Sequence, residues 1–176
     1  MKILDVGCGF RKTLGAVGID IDPRTNAEHI HDLNSFPYPF EDNTFDEVVS
    51  NHVLEHLNDT VPVLNEMHRI TKNGGKVKIR IPHYTGISAW GDLTHKKTFS
   101  ANMRVYISNN MGEKFRVDKT SLHYISYMDR NRCLRNRMVS AIIDRVANVN
   151  IKFSDKFLGY WIGGFQEIYL ELIVLK

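Results

Sequence analysis

Short apolar runs alternate with polar turns along the first half of the chain. The runs Ile3–Val6, Ala16–Ile21 and Phe45–Ser50 each end beside glycine, aspartate or asparagine. Apolar runs of this length between turn residues are typical of strands buried in a parallel sheet. The pattern therefore predicts three such strands, with a shorter one leading to Asp32 and Leu33.

The pattern changes after the fourth predicted strand. Within Thr60–Thr71 the apolar residues recur at nearly helical spacing, and Asp59 or Thr60 can cap the helix N-terminus. We expect Asn73-Gly74-Gly75 to end this helix, because glycine adopts the left-handed C-terminal conformation without strain. The strand that follows alternates Lys76, Lys78 and Arg80 with apolar residues, which indicates one incompletely buried face.

The second half predicts two more strands and a helix. Lys114–Tyr127 alternates apolar and polar positions and should form the sixth strand, and Glu167–Leu175 should lie antiparallel beside it. Residues 129–149 form a helical pattern with apolar positions at steps of four. The aromatic segment Phe153–Phe165 is open to three interpretations: a lid, a dimer surface or internal packing.

Composition sets broad limits on the protein class. The 176 residues suit a single domain, and the net charge of +3 neither favours nor excludes nucleic acid. Cys8 and Cys133 are too few for a disulfide framework, and there is neither an apolar leader nor an apolar run of about 18 residues. A soluble, cytoplasmic protein without membrane segments is the expectation.

The turn after the first strand is the main candidate for chemistry. Gly7 and Gly9 leave no side chain between the backbone and a ligand at the strand's C-terminal edge. Asp20 ends the next strand, where a carboxylate can accept hydrogen bonds from both ribose hydroxyls. The nucleotide half of a cofactor is expected to lie across these two strand ends.

Three segments resemble class I S-adenosylmethionine-dependent methyltransferases, in the small-molecule, type 11-like branch. They are the glycine turn, HDLNSFPYPFEDNTFDEVVSNHVLEHL and RITKNGGKVKIRIP. The resemblance covers about the first half of the chain. It implies an α/β fold: a Rossmann-like, seven-stranded, mostly parallel sheet with an antiparallel last strand, in a three-layer sandwich with fewer helices than usual. Residues 1–83 would form the cofactor-binding half of a single domain, 84–164 the acceptor and lid elements, and 165–176 the last strand.

The resemblance also implies a cofactor, S-adenosyl-L-methionine, and residues that bind it. Asp32 would accept a hydrogen bond from the adenine amine, and the backbone of Leu33 would meet the ring. The complete implied cofactor site consists of Asp5, Gly7, Cys8, Gly9, Asp20, Ile21, Asp32, Leu33, Asn51 and His52.

The chain departs from the family pattern after Gly9. Arg11 replaces the third glycine of the motif, and the spacing from Gly9 to Asp20 is too short for an ordinary crossover helix. A loop is expected instead, in which Arg11 or Lys12 either binds the cofactor's carboxylate or is solvated. Few residues precede the first strand, so cover for the cofactor is expected from later in the chain or from a second subunit, as in a homodimer.

HVLEH, which spans His52 to His56, matches the H-x-x-E-H pattern of some zinc proteases. Two histidines four residues apart can share a helix face and meet one metal. No third ligand is evident nearby, and the same letters are a familiar continuation of the fourth strand in the methyltransferases that the chain resembles. No metal site is therefore expected.

The acceptor side is predicted after the fifth strand. His83 and Tyr84 end that strand, and Trp90, Asp92 and His95 follow on a loop. His83 or His95 can act as general base because imidazole titrates near neutral pH, with Asp92 orienting it. Metal ligation by the histidines and Asp92, and a purely structural role, stay open. Tyr84 and Trp90 are candidate substrate-binding residues.

Methyl transfer to an oxygen or nitrogen of a small molecule is the leading functional prediction, with a protein or RNA acceptor still open. A non-catalytic cofactor-binding or regulatory partner is the alternative, and another transferase on the same sheet, such as an aminopropyl transferase, ranks third. A basic cluster at the start of the predicted helix is either a solvated face or a contact for a phosphate-bearing acceptor. It consists of Arg130, Arg132, Arg135 and Arg137.

Overall fold

The computed structural model describes residues 1–126, 129 and 133–176. Its centre is one seven-stranded sheet with the order β3-β2-β1-β4-β5-β7-β6. β1 to β5 are parallel, and β7 is antiparallel to both β5 and β6, which confirms the predicted mostly parallel sheet and its antiparallel last strand. The strands are β1 Ile3–Val6, β2 Val17–Asp20, β3 His29–Ile30, β4 Phe45–Asn51, β5 Thr71–Pro82, β6 Phe115–His123 and β7 Glu167–Val174.

The helices lie mostly in the second half of the chain. A 3₁₀ turn covers Leu54–His56, and the last helical segment contains a π-helical stretch, Ser154–Leu158, between two short α-helices. The α-helices are α1 Thr60–Ile70, α2 Ile87–Gly91, α3 Met103–Asn110, α4 Leu134–Ala147, α5 Ile151–Phe153 and α6 Gly159–Trp161. None of them, within the described residues, is both long and apolar enough to cross a bilayer.

The strand order reverses direction at β1. Its two neighbours are β2, which follows it in the chain, and β4, and all three strands run in the same direction. In open sheets with helical crossovers, ligands bind at the carboxyl ends of the strands at such a switch point. The glycine turn after β1 lies at this place.

One face of the sheet carries the hydrophobic core. Leu4 on β1, Val48 on β4 and Val77 on β5 are in register and fully buried. The apolar stripe of α1 packs into the same cluster, as its helical spacing predicts. The Asp59 side chain caps α1 by accepting from the Val61 amide at 3.0 Å.

The end of α1 differs from the prediction. The helix ends at Ile70, and β5 begins at Thr71 in extended conformation. Gly74 lies inside the irregular start of β5, where the pairing with β4 shifts register, and has a φ of 73°. Gly74 therefore accommodates an irregularity in a strand and does not end a helix, because Thr71, directly after α1, already pairs with Phe45 of β4.

The opposite face of the sheet is largely uncovered. Within the described residues no helix connects β1 to β2 or β2 to β3, which confirms the loop predicted after Gly9 and leaves one outer layer of the expected three-layer sandwich unbuilt. Lys78 pairs with Glu47 at 2.6 Å, and Lys76 pairs with Glu171 at 2.5 Å, on this face. The alternation of cations along β5 is thus explained by the missing helices.

The apolar stripe of the long helix α4 faces solvent instead of the core. Its residues Leu134, Met138, Ile142 and Val146 recur at steps of four, yet each is more than half exposed. Tyr127, the predicted end of the sixth strand, and the predicted cluster members Arg130 and Arg132 lie outside the described residues.

Candidate functional site

The turn after β1 brings its backbone against β2. Gly7 donates to the Ile19 carbonyl at 2.8 Å and has a φ of 66°, a conformation that favours glycine. A Cβ at Gly7 would also overlap the side chain of Val53. The Gly9 amide donates to Asp20 Oδ2 at 2.8 Å, so the turn and the acid at the tip of β2 hold one another in place.

Gly7, Asp20 and Asp32 meet in a cavity of about 300 Å³, which we call the first cavity. Asp32 Oδ1 accepts from the Asn34 amide at 2.9 Å and from its side chain at 3.0 Å, and these hydrogen bonds lower the pKa of Asp32. The carboxylates therefore converge with the glycine turn. The cavity is lined by Gly7, Asp20, Ile21, Asp32, Leu33, Asn34, His52, Val53, His56 and Leu57.

A second cavity, of about 690 Å³, opens on the uncovered sheet face. Asp5 lies in its wall, where burial raises the carboxyl pKa although the Thr13 amide donates to it at 2.6 Å. Burial and the nearby carboxylates raise the pKa of Cys8 to about 11, which keeps this thiol protonated. The wall consists of Asp5, Gly7, Cys8, Arg11, Thr13, Leu14, Glu47, Val49, Asn51, His52, Lys78, Arg80, Glu167 and Tyr169.

The two cations of the β1–β2 loop have different places. Lys12 pairs with Glu28 and donates to the Asn26 carbonyl at 2.8 Å, so it fastens the loop to the segment before β3. Arg11 lines the second cavity and also a third one. Of the two alternatives for a cofactor carboxylate, the geometry favours Arg11.

His52 lies where the cavities meet, because it lines all three. Its backbone has a φ of 55°, and its ring lies between two buried acids, with Nε2 3.1 Å from Glu167 Oε2 and Nδ1 3.4 Å from Glu55 Oε1. Burial lowers the pKa of His52, but these two carboxylates outweigh burial and raise it to about 9.

The third cavity, of about 780 Å³, lies between the 3₁₀ turn and the loop after β5. His95 and Asp92 both line it, and their role at an acceptor site stays a prediction. Glu55 and His56 reach it from the other side. The remaining lining residues are Arg11, His52, Pro82, Ser88, Gly91, Leu93, Ser126 and Asp129.

The structure contradicts the prediction that His83 can serve as general base. Its side chain is fully buried, Nε2 lies 2.8 Å from Asp155 Oδ1, and Nδ1 accepts from the Thr85 amide at 3.2 Å. The ring lines none of the three cavities. Both its nitrogens are used to hold chain segments together, since Asp155 also accepts from Ala101.

The two aromatic candidates lie outside the three cavities, although Trp90 lines a smaller one, of about 390 Å³, beside Asp92 and His95. The hydroxyl of Tyr84 donates to the Asp155 carbonyl at 2.9 Å, so it points toward the helical segment before β7. Trp90 donates to the Tyr84 carbonyl at 2.7 Å and is 69% exposed. Neither ring lines one of the three cavities, and the same is true of Arg135 and Arg137.

Several lining residues were not found from the sequence. The charged side chains of β5 were visible as an alternation, but their place beside the cofactor turn was not. Glu167 and Tyr169 on β7 come into the second cavity only because β7 inserts between β5 and β6. Glu55 was seen as part of HVLEH, whereas its approach to His95 depends on the fold.

Comparisons with known proteins agree with this geometry. The model of a family described as a methyltransferase domain matches residues 4–79. A demethylmenaquinone methyltransferase of Shouchella clausii is 37% identical over 75 residues, which is 41% of this chain and 32% of that enzyme's length. The chain therefore matches about a third of that relative.

Solved structures share the whole fold. A SAM-dependent methyltransferase from Archaeoglobus fulgidus has a TM-score of 0.62 and 21% identity, with 98% of this chain and 85% of that chain covered. A putative methyltransferase of Haloferax volcanii, solved with the Trm112 methyltransferase activator, has a TM-score of 0.61 and 17% identity, covering 99% and 83%. Residues 4–79 therefore match a methyltransferase domain, and the whole chain has the fold of solved S-adenosylmethionine-dependent methyltransferases.

Proposed function

We propose that the protein transfers the methyl group of S-adenosylmethionine to a small-molecule acceptor. The observation that supports this most is the meeting of Gly7, Asp20 and Asp32 at one cavity. A carboxylate at the tip of β2 suits the ribose hydroxyls, and Asp32 suits the adenine amine. The methionine part of the cofactor would continue past Gly7 into the second cavity, where Arg11 can bind its carboxylate.

The acceptor would enter through the third cavity. His52 lines all three cavities, so an acceptor in the third cavity would lie next to a cofactor held in the first two. The sulfonium already makes the methyl electrophilic, and the protein has to align the acceptor and remove a proton where one is lost. His95 and Asp92 are the candidate residues for acceptor contact, whereas His83 has no access.

A small acceptor, methylated on oxygen or nitrogen, is the specific form of this proposal. The cavity of about 780 Å³ is in the range of small-molecule sites. The relative from Shouchella clausii is named as a demethylmenaquinone methyltransferase, which supports a small-molecule acceptor. The Haloferax relative was solved with an activator protein, so a protein partner or a second copy can be tested beside it.

The experiment is a calorimetric titration with S-adenosylhomocysteine. The wild type should bind it, and Asp20→Ala should weaken binding by about 1 to 3 kcal/mol, because a buried hydrogen-bonding partner of the ribose is lost. Asp22→Ala is the matched control: Asp22 is two residues away, but it pairs with exposed Arg24 at 2.7 Å and lines none of the three cavities. Equal effects of the two variants would remove Asp20 from the cofactor site.

A non-catalytic cofactor-binding protein is the second candidate. The open sheet face favours it, since the crossover helices that usually flank the cofactor are absent from the described residues. Conversion of radiolabelled S-adenosylmethionine in the presence of a metabolite extract separates the two. Binding of S-adenosylhomocysteine without any turnover would support the regulatory role and contradict the enzyme.

A further inference from the structure

Glu55 is a buried carboxylate without a hydrogen-bond donor in the described part of the chain. Its residue is 0% exposed, and neither of its oxygens makes a hydrogen bond. Its ion-pair partners are His52, whose Nδ1 lies 3.4 Å from Oε1, and His95, whose Nε2 lies 4.0 Å from it. His52 is shared with Glu167, so Glu55 has part of one cationic partner and no hydrogen-bond donor, which is a costly condition for a buried carboxylate.

Two imidazoles approach this carboxylate from different parts of the chain. His56 follows Glu55 in the 3₁₀ turn, and His95 comes from the loop after α2. Their ring centres are 4.8 Å apart, and one ligand atom each from Glu55, His56 and His95 all lie within 4.8 Å of one another. The group differs from the pair weighed for HVLEH in the sequence, because His52 is not part of it and Glu55 and His95 join His56 instead.

The outer nitrogens of both rings are already engaged. His95 Nδ1 lies 3.3 Å from the Ala89 carbonyl, which can only accept, so this nitrogen carries the proton. The Thr94 hydroxyl donates to Asp92 Oδ1 at 2.6 Å, and its oxygen therefore accepts from His56 Nδ1 at 3.0 Å. A hydrogen bond from Nδ1 to an oxygen acceptor is the arrangement that orients metal-binding histidines and leaves Nε2 to the ion. Asp92 Oδ2 also lies 3.8 Å from His95 Nε2.

We propose that Glu55, His56 and His95 bind a divalent transition-metal ion, with zinc as the first choice. Two imidazoles and one carboxylate are a frequent ligand set for zinc with an open position. Ligand atoms about 2 Å from a tetrahedral zinc ion lie about 3.3 Å apart, so side chains whose ligand atoms are up to 4.8 Å apart must close by up to about 1.5 Å. The ion would add a positive partner to Glu55 beside His52 and bind the oxygens that lack a donor.

The metal ion would contact the methyl acceptor, an inference that rests on the proposed function. Its three ligands all line the third cavity, and His56 also lines the first. An ion there would present its open position to the cavity proposed for the acceptor. A hydroxyl or similar oxygen donor bound to it would lose its proton more readily, because the ion stabilises the anion.

Zinc binding can be measured without any knowledge of the acceptor. Tag-free protein, stripped with a chelator and titrated with zinc chloride against a chromophoric competitor, should bind zinc stoichiometrically and unfold at a higher temperature when loaded. His95→Ala and Glu55→Gln should each weaken zinc binding by about 100-fold or more, and Thr94→Val by about 10-fold through loss of the second-shell acceptor. Cobalt substitution should produce visible absorption bands typical of low coordination number in the wild type only.

The matched control is His68→Gln. His68 is a partly buried histidine on α1 whose Nε2 lies 2.8 Å from the Leu175 carbonyl, and glutamine can replace that donor. This variant should bind zinc like the wild type. The proposal is overturned if the wild type does not bind zinc, or if His95→Ala and Glu55→Gln bind it as tightly as His68→Gln.

A parallel titration with S-adenosylhomocysteine separates the two proposals. Glu55 and His95 do not line the first or the second cavity, so their variants should bind S-adenosylhomocysteine as the wild type does. Zinc binding without any S-adenosylhomocysteine binding would contradict the proposed function and support the metal site. The reverse result would contradict the metal site alone.

Discussion

Replacing His83 by alanine tests whether this histidine is structural, as its surroundings indicate. The ring is fully buried, and its Nε2–H donates to Asp155, whose carboxylate also accepts from the Ala101 amide at 2.9 Å. Thr85 occupies the other ring nitrogen. Removal of the ring would leave Asp155, itself 3% exposed, with only one of its two donors.

The expected loss of stability is large for a single side chain. Removing the ring deletes a buried hydrogen bond to a carboxylate and leaves a cavity, which together cost about 3 to 5 kcal/mol. For a domain of this size 1 kcal/mol shifts the melting temperature by roughly 2 to 4 °C, so His83→Ala should melt about 6 to 20 °C lower. Binding of S-adenosylhomocysteine to the folded fraction should not change.

The assay is thermal and urea unfolding of His83→Ala, Asp155→Ala and the double variant. The double variant should lose less than the sum of the two single losses, because it leaves no unpaired carboxylate behind. A variant His83→Ala that melts like the wild type but no longer converts S-adenosylmethionine would refute the structural assignment. It would restore His83 as a catalytic residue.

Two further predictions concern the turn and the outer helix. Gly7→Ala should lower the free energy of unfolding by about 1 to 3 kcal/mol and weaken S-adenosylhomocysteine binding, because of strain at φ 66° and overlap with Val53. Gly15→Ala, at φ 76°, meets no neighbour and should suffer strain only. Equal binding by both variants in calorimetry would contradict the role of the turn. Burial raises the pKa of Asp144, but hydrogen bonds from His123 and neighbouring groups outweigh it and lower that pKa below 3.8. The stability from Asp144 is therefore present above pH 3.8 and lost as the pH falls through the lower folded-state value. Asp144→Asn should have a smaller free energy of unfolding near neutral pH, and in urea unfolding this free energy should fall less than that of the wild type toward pH ~3. Parallel pH profiles of the two proteins would contradict this.

The cofactor half was predictable because its information is local. The strand after Lys2, the glycine turn and the acid that ends β2 lie within the first twenty residues, and parallel strands place all their carboxyl ends at one edge. The strand pattern therefore placed Asp20 and Asp32 at the same edge of the sheet, and the resemblance to class I methyltransferases supplied the role expected of Asp32. The shortage of residues after Gly9 likewise predicted the missing helix and the charged face of β5.

The acceptor half was less predictable because its contacts join distant segments. His83 and His95 look alike in the sequence, and both follow β5. Only the position of Asp155, which arrives from the helical segment before β7, makes the first structural and leaves the second at a cavity. The solvent-facing apolar stripe of α4 is another case, since periodicity predicts a helix but does not decide what covers it.

The sequence by itself indicated the mostly parallel sheet, the loop after β1 and the antiparallel last strand, because strand pattern and turn chemistry are encoded by neighbouring residues. Only the tertiary structure decided which histidine is buried, that Glu55 lacks a donor and that His95 meets it with His56. Those facts depend on how loops pack across the strand ends. Packing between distant segments depends on the free energy of the whole chain, so a local sequence pattern does not predict it.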